Sequence, residues 1–542
     1  MEEPIRDDPA VLELLYQPLV LEDAMNRVMR GHRDGAGESL GIPTDSMLAS
    51  FEAHKCFTNK LAQILDKERG GRTVTALTIL QSNRRPIYVI ASNLRTKEEL
   101  GEAQTFLKKL LGFVHDNPLE LNPKPLFKKV LGRIILFNLP RIQAYLINLR
   151  RYLGTCIDDC GKREETQSIL ELEHELKTLQ NKASFPMELG TDNEKDKFLS
   201  DCDTLLRAIG TNKGTRIDES LLEHSDDTMT SLEAWQELRH YLGRLLSYRQ
   251  AAEVIIAANE RWPQLFQGFH VVAIPCSEKA RNPMIHRELS AAAIVRGMLW
   301  DDEDPEPYLE QVAKLSGIGL DDEVKGQVKK KKFKPFVHAE VQVHAALIRD
   351  DYSRSSQFWS RYKYIGSSKP TCRLCAYYFF ERGDGTQVRP THQNLYLHWR
   401  LPDVYPSQGA AEARTHRQLL ERITEHVRKD AKRTLDERMP SRRRHDSNDR
   451  SSIPSLLRPG DLLDAGSTVS DLASETSRLY VDSSTNGSIV PPLFNRESLS
   501  RLMEEEAEDF DSSDEEGEDG FESGSEEEEV DLESDPEEGE HQ

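Results

Sequence analysis

The stretch VHAE at residues 337–340 and the stretch PTCRLC at residues 370–375 decide how this chain is interpreted. Together they read H-x-E followed by C-x-x-C. His338, Cys372 and Cys375 would supply one imidazole and two thiolates, which are preferred zinc ligands. A structural zinc ion normally has four protein ligands, whereas a catalytic one has three and keeps its fourth position for water. The ligand set therefore predicts a zinc centre of the catalytic type.

Glu340 strengthens that interpretation. It lies two residues after His338, close enough to reach a water molecule on the metal without binding the metal itself. A carboxylate placed there can accept a proton from the water and pass it on. The alternative is a closed structural site with His344, His392 or His398 as its fourth ligand. His344 is a poor candidate, because it lies about 240° around a helix from His338.

The order of the motifs, with a glutamate that is not a ligand, is the signature of zinc-dependent deaminases. Residues 336–399 resemble the cytidine deaminase-like superfamily and, within it, the OTT-type deaminases, a largely fungal nucleic acid deaminase family. Two further stretches carry the resemblance, IGSSK at 365–369 and THQNLYLHW at 391–399, the latter followed by Leu401 and Pro402. The resemblance covers about 65 residues of 542.

The resemblance implies hydrolysis of an exocyclic amine on cytosine or adenine, with Zn2+ as the cofactor and ammonia as a product. Glu340 would be the catalytic residue, and His338, Cys372 and Cys375 would bind the metal. The base could arrive in a nucleoside, a nucleotide, RNA or DNA, and a nucleic-acid polymer is preferred. Many deaminases have proline directly before the first cysteine, whereas here Thr371 intervenes. This departure weakens any transfer of substrate preference.

Four residues are candidate substrate contacts: Asn93, Ala339, Lys369 and His392. Asn93 follows a predicted second strand, where nucleoside deaminases place an asparagine that contacts the sugar. The alternative is that Asn93 caps the next helix, because acidic residues follow it closely. The backbone N–H of Ala339 would hold a base carbonyl, as the resemblance implies. Lys369 directly precedes the cysteine motif, and His392 is expected near the pocket.

The chain before the motifs predicts a helix followed by two strands. Residues 45–69 have an apolar helical face with Asp45 as a cap, and residues 73–80 and 86–91 read as strands of a hairpin. Residues 362–366 are a strand candidate before the cysteines. The deaminase fold begins with helix, strand, strand and then the H-x-E helix. The resemblance therefore implies an α/β, cytidine deaminase-like three-layer fold that a large helical insertion interrupts.

We accordingly predict four parts of the chain. Residues 45–95 are the N-terminal part of the deaminase domain, and residues 96–330 are a mainly helical insertion. Residues 331–436 are the zinc-binding catalytic part with a C-terminal helix. Residues 437–542 are a disordered acidic tail, because serine, proline, glycine and acidic residues dominate there and aromatic residues nearly vanish.

Smaller elements complete the prediction. Residues 269–274 are expected to form a short strand at an edge of the sheet, and residues 287–300 a helix. Residues 301–335 are expected to be a linker, and residues 388–399 to supply the last strand or two. Apolar residues at every fourth position of 419–435 predict a helix that docks on the domain.

The net charge of −22 is concentrated at the C-terminus. Residues 504–540 carry 22 of the 93 acidic residues, and the remaining 71 acidic residues equal in number the 71 lysines and arginines.

Seven irregularly spaced cysteines argue against a disulfide framework and favour a reducing compartment. The first residues show no secretory signal, and no apolar run approaches the ~20 residues needed to span a bilayer. We expect an intracellular protein without a membrane partner, in the nucleus and/or cytoplasm.

Basic clusters leave several interpretations open. Lys432-Arg433 with Arg442 to Arg444 resembles a bipartite nuclear import signal. The lysines of 329–334 either line the mouth of the site and attract phosphates or form a solvated loop. Protein partners could bind the helical insertion or the acidic tail.

Two other functions are alternatives to an ordinary deaminase. The first is a zinc-stabilised interaction module without catalysis, and Glu340 argues against it because structural zinc has no use for that carboxylate. The second is a toxin-like or defence effector deaminase. An exported effector is disfavoured because the sequence shows no secretion signal, but an intracellular defence role stays open.

Overall fold

The computed structural model describes residues 2–30, 50–81, 85–164, 166–211, 232–284, 289–329 and 333–438. Within these ranges the chain forms fourteen α-helices and five strands, which confirms the predicted α/β class. No single helix in these ranges is long and apolar enough to cross a membrane. Nearly all of the predicted acidic tail lies outside the described residues.

The strands are β1 (Thr75–Gln81), β2 (Pro86–Ser92), β3 (His270–Ala273), β4 (Tyr364–Ser367) and β5 (Gln387–Val388). The helices are, in chain order, α1 (Pro9–Arg30), α2 (Ser50–Leu65), α3 (Lys97–Asp116), α4 (Pro123–Phe137), α5 (Leu139–Cys160), α6 (Gln167–Ala183), α7 (Asp192–Thr211), α8 (Leu232–Arg261), α9 (Ala291–Met298), α10 (Glu306–Ser316), α11 (Leu320–Lys329), α12 (Ala339–Arg349), α13 (Arg373–Arg382) and α14 (Gly409–Glu437).

One mixed sheet organises these elements, with strand order β3-β2-β1-β4-β5. β1 is antiparallel to β2, with Thr78 opposite Val89, and antiparallel to β4, with Leu77 opposite Gly366. β3 is parallel to β2, and β5 is parallel to β4, at the two edges. The sheet therefore joins strands near the start of the chain directly to strands near the metal motifs.

Helices cover both faces of this sheet, because successive residues of a strand point to opposite sides. On β1, Leu77 and Ile79 belong to a core shared with helices α2 to α8. Ala76 and Leu80 belong to a second core shared with α1 and with α9 to α14. β2 is buried along its whole length, as expected for a central strand that is covered on both sides.

The strand predictions before residue 370 are confirmed with small shifts. Residues 73–80 and 86–91 contain most of β1 and β2, and residues 362–366 contain most of β4. The strand predicted at 269–274 is β3, which lies at an edge of the sheet as expected. The helix predicted over 45–69 is described from Ser50, so its predicted cap lies outside the described residues.

The prediction of a linker over 301–335 is wrong, because this segment contains α10 and α11. Their few apolar side chains, among them Val312, Leu315 and Val324, are buried in the second core. Dense charge on the other faces of these short helices hid that pattern in the sequence. Helix α1 was not predicted, although it packs against α14 and α11.

The prediction of strands over 388–399 is largely wrong. β5 contains only Gln387 and Val388, and the following residues run as irregular chain. Single bridges hold this chain in place, between Phe336 and Trp399 and between Thr371 and Thr391. These bridges bring the residues around both zinc motifs to the segment that follows β5.

Gly366 allows β4 to pack closely on α2. A Cβ atom at this position would lie 2.7 Å from Cγ2 of Thr58 and 3.0 Å from Oδ1 of Asn59. The same Asn59 oxygen accepts a hydrogen bond from the Tyr364 hydroxyl at 2.8 Å. Only glycine leaves room for this contact, so the strand that leads to the cysteines is fixed against the helix.

Candidate metal centre

The predicted ligands lie at the beginnings of two helices. His338 is the residue that caps the N-terminus of α12, and Cys372 has the same position in α13. Cys375 follows one turn later in α13, so its side chain lies beside that of Cys372. The N-termini of α12 and α13 therefore both lie at the ligand group, where the helix dipoles favour negative charge.

The three side chains form a compact group. Nδ1 of His338 is 3.4 Å from Sγ of Cys372 and 3.4 Å from Sγ of Cys375. Within the described ranges, these are the residues that could jointly hold a metal ion, and all three are buried. A tetrahedral zinc ion with normal bond lengths separates nitrogen and sulfur ligands by about 3.5 Å. The residues therefore fit zinc, which they would hold through Nδ1 and the two sulfurs.

Donor groups next to the sulfurs favour thiolates. The indole Nε1 of Trp399 donates a hydrogen bond to Cys375 at 3.2 Å, and the backbone N–H of Cys375 donates to Cys372 at 3.5 Å. Trp399 is fully buried, so this contact is shielded from water. Such outer partners orient metal ligands and tune their affinity.

Glu340 lies inside the same centre and is 5% exposed. Burial raises the pKa of its carboxyl, and the positive charge of His338 opposes that rise. The carboxyl also hydrogen-bonds with Cys375. Glu340 is therefore a buried carboxyl group at the edge of the ligand group, with a pKa above its ordinary value.

Burial also shapes the ionisation of the two cysteines. It raises the pKa of the Cys375 thiol well above its usual range. It also opposes ionisation of Cys372, but hydrogen bonds from Cys375 and the charge of His338 hold the pKa of Cys372 well below the usual range. A divalent cation would offset the cost of the second buried thiolate.

Arg373, between the two cysteines, ties the ligand loop to distant helices. Its Nη1 lies 3.3 Å from Glu22 of α1 and 3.2 Å from Asp430 of α14. Its Nε donates to the carbonyl of Gln393 at 2.9 Å. Arg373 is 3% exposed, so these ion pairs are shielded. The loop that presents Cys372 is thereby held from three sides.

Asn93, a predicted substrate contact, lies beside the ligand group and contacts the first residue of α12. Its Oδ1 accepts a hydrogen bond from the backbone N–H of Ala339 at 2.8 Å, and its Nδ2 donates to the carbonyl of Gly71 at 2.8 Å. Asn93 does not cap the helix that follows it, because Thr96 does so with Glu99. The Ala339 N–H that was expected to hold a base carbonyl is engaged by Asn93.

The other two predicted substrate contacts differ in position. Lys369 is half-buried, and its positive charge acts on both His338 and Asp66. His392 is buried, and its Nδ1 accepts from the backbone N–H of Asn394 at 2.9 Å. The ring of Tyr396 lies 5.8 Å from that of His392 and 6.1 Å from that of His338. Lys369 is thus near the candidate metal centre. His392 lies further away, with Tyr396 between it and His338.

The histidines considered as a fourth ligand do not join the group within the described ranges. His344 is bound elsewhere, because its Nδ1 contacts the Tyr378 hydroxyl and its Nε2 contacts Asp384, both at 2.9 Å. The ring of His398 packs edge-on against Phe333. The three-ligand arrangement is therefore the one that the structure brings together.

Several contributing residues were missed in the sequence. Glu22 and Asp430 are ordinary acidic residues of amphipathic helices, and no local pattern links them to Arg373. Trp399 was noted only as part of a stretch. The one available signal was the arginine between the two cysteines. If the C-x-x-C motif is buried, its cation requires acidic partners from elsewhere in the chain.

Comparison with known families gives one match in this region. Residues 337–403 match the OTT_1508-like deaminase family, which confirms the assignment to the cytidine deaminase-like group. Comparison with curated proteins found no match, and comparison with solved structures found none either.

Proposed function

Because residues 337–403 belong to a deaminase family, we propose that this chain is a zinc-dependent hydrolytic deaminase acting on a cytosine or adenine base. One observation carries the proposal: the buried Glu340 adjoins a group of three metal ligands without being a fourth. A structural zinc site gains nothing from a buried carboxyl group that is not a ligand, whereas a hydrolytic site requires one.

The centre supplies the parts that hydrolysis needs. Zinc, when bound by His338, Cys372 and Cys375, would lower the pKa of a water molecule towards neutrality and so supply hydroxide. The chain excludes bulk water there, since all three ligands are buried. In such surroundings the charge of a nearby carboxylate acts strongly.

Glu340 would move the protons of the reaction. It accepts a proton from the attacking water and delivers it to a ring nitrogen of the base. The hydroxyl would add to the ring carbon that bears the amine. Glu340 would then take the proton of that new hydroxyl and pass it to the amine, so that the C–N bond breaks, ammonia leaves and a carbonyl forms. Burial raises the pKa of Glu340, which makes its carboxylate a stronger base than an exposed glutamate.

We further propose that the sheet is that of the cytidine deaminase-like three-layer fold. Residues 45–95 and 331–436 would then be two parts of one domain, with residues 96–330 inserted between them. The direct pairing of β1 with β4 supports this division, as does the contact between Asn93 and Ala339. Helices on both faces of the sheet agree with it.

A nucleic-acid polymer remains the preferred form of the substrate. Lys369 places a positive charge beside the centre, which would attract a phosphate. Residues 330–332 of the lysine run lie outside the described residues.

We propose a location in the nucleus or cytoplasm. Lys432 of the import-like pattern contacts both carboxylate oxygens of Glu303 at 2.5 Å, so this lysine is engaged within the fold.

The test combines zinc stoichiometry with ammonia release from pooled nucleosides, nucleotides, single-stranded DNA and RNA. Wild type, Glu340→Gln and the control Glu425→Gln are compared, since Glu425 is a surface residue of α14. We expect one zinc per chain in all three proteins. We expect ammonia from wild type and from the control, and at least a roughly 100-fold lower rate from Glu340→Gln.

Other results would contradict the proposal. One zinc per chain without ammonia from wild type would favour the non-catalytic interaction module. Equal ammonia release from wild type and Glu340→Gln would remove the proposed role of the carboxyl group. A chain that binds no zinc would contradict the metal centre itself.

A further inference from the structure

The N-terminus of α12 has an unusual cap. The first four N–H groups of a helix have no partners within the helix, and the side chain of the capping residue usually accepts one of these bonds. Here the capping position is occupied by His338, whose side chain makes no such bond. It points to the two cysteines instead. A metal ligand therefore stands where the capping side chain is normally found.

Asn93 supplies an acceptor for one of the four N–H groups from a position 246 residues away. Its Oδ1 accepts the N–H of Ala339, the first residue of α12, at 2.8 Å. Asn93 is itself fixed, because its Nδ2 donates to Gly71 at 2.8 Å and its backbone N–H donates to Val74 at 3.0 Å. It is only 4% exposed. The acceptor is thus held rigidly against the residue that follows the histidine ligand.

We propose that Asn93 is a positioning residue of the metal centre, which orients His338 by capping α12 from outside the helix. This inference rests on the zinc centre of the proposed function. The substrate contacts that the resemblance implied for Asn93 and for the Ala339 N–H stay predictions beside this positioning role.

The side-chain chemistry makes the role specific. Position 93 must accept a hydrogen bond from Ala339 and donate one to Gly71, and an amide does both. Aspartate preserves the acceptor and adds negative charge, which a helix N-terminus favours, but it loses the donor. Alanine loses both bonds. The two substitutions therefore separate the capping bond from the anchoring bond.

The experiment measures zinc affinity by competition with a chromophoric chelator, using the full chain. Asn93→Ala should weaken zinc binding about 10- to 100-fold, as removal of a partner outside the ligand set commonly does. Asn93→Asp should recover most of that affinity. The control is Thr96→Ala, which removes the cap of the neighbouring helix α3. It should lower the melting temperature without changing zinc affinity.

Three results would overturn the inference. Asn93→Ala could bind zinc as tightly as wild type. Thr96→Ala could weaken zinc binding as much as Asn93→Ala does, which would indicate general destabilisation. Asn93→Ala could raise KM for a substrate while zinc affinity stays constant, which would favour the predicted sugar contact alone.

The readout separates this inference from the proposed function. Zinc affinity is measured without substrate, so its loss in Asn93→Ala supports the positioning role whether or not ammonia is released. If wild type releases ammonia and Asn93→Ala binds zinc as tightly as wild type does, the deaminase proposal is supported and the positioning role is overturned.

Discussion

Trp399 lies outside the candidate ligand set but contacts one of its sulfur atoms. Its indole Nε1 lies 3.2 Å from Sγ of Cys375, and the ring is fully buried. The Tyr16 hydroxyl donates to the Trp399 carbonyl at 2.9 Å, which fixes the residue from helix α1. A donor to a thiolate stabilises its negative charge and limits its orientation.

We expect Trp399→Phe to weaken zinc binding about tenfold, because phenylalanine retains an aromatic ring but removes the N–H donor. Chelator competition would measure this change. The matched control is Trp235→Phe, since Trp235 is also fully buried and donates through Nε1 to Asp159 at 2.9 Å. The control should lose stability and retain zinc affinity. Equal losses of affinity in both variants would contradict the role of the Trp399 donor.

At the scale of residues, the sequence predicts ligands better than their partners. The side chains of His338, Cys372 and Cys375 meet as predicted, because fixed local spacings place each at the start of a helix. The partner of Ala339 could not be read in the same way. A hydrogen bond between residues 246 positions apart depends on the pairing of strands, which leaves no local pattern.

Among the elements, helix α2 carries a buried histidine that the proposed mechanism does not use. His54 is fully buried, and neither ring nitrogen has a hydrogen-bond partner in the described part of the chain. Its ring stacks on Trp359, with centroids 5.5 Å apart. Burial lowers the pKa of His54 from 6.5 to about 3. The native helix therefore keeps this histidine neutral.

This depressed pKa predicts a loss of stability in acid. Below about pH 6.5 the unfolded chain binds a proton at His54, whereas the native chain does not do so until about pH 3. Stability contributed by the neutral ring is thus complete above pH 6.5 and decreases as the pH falls towards 3. The full decrease is at most about 5 kcal/mol.

Denaturant titrations of wild type and His54→Phe between pH 7 and 4 would measure this effect. The variant retains an aromatic ring but has no proton to bind, so its free energy of unfolding should fall less with acidification. His174→Gln is the control, because His174 is exposed on α6. The prediction fails if wild type and His54→Phe show the same pH dependence.

Elements with strong patterns were predicted, and elements defined by their surroundings were not. Strands β1 and β2 are rich in β-branched residues and buried on both faces, so their sequence is distinctive. Helices α10 and α11 bury only a few side chains each among many charges. The chain after β5 is held by single bridges rather than by a ladder, which periodicity does not reveal.

At the scale of the whole molecule, the sheet separates two cores with different roles. The core that contains α4 to α8 excludes the metal ligands, whereas the core that contains α1 and α9 to α14 includes Cys372 and Cys375. The ion pairs of Arg373 with Glu22 and Asp430 extend the second core around the centre. The candidate metal site thus contacts helices that lie outside the matched segment of residues 337–403.

This division predicts that removal of zinc acts on one side of the sheet. A ligand that binds only the native state stabilises it by about 4 kcal/mol when its free concentration is a thousand times its Kd. Chelation from that condition should lower the free energy of local unfolding of the second core by this amount. Hydrogen exchange should accelerate at the first turns of α12 and α13, because a bound metal would link them. It should remain nearly unchanged in α4 to α8, which pack in the other core.

The control for metal removal is His338→Ala, which lacks one ligand and should already exchange rapidly at α12 and α13 without responding to a chelator. Wild type and this variant should therefore become similar after chelation. Acceleration spread evenly over both cores would show that the two faces of the sheet unfold together, and the zinc centre would then stabilise the whole chain. No change in wild type would mean that the ligand group is stable without metal, and a role for zinc in holding α12 against α13 would be excluded.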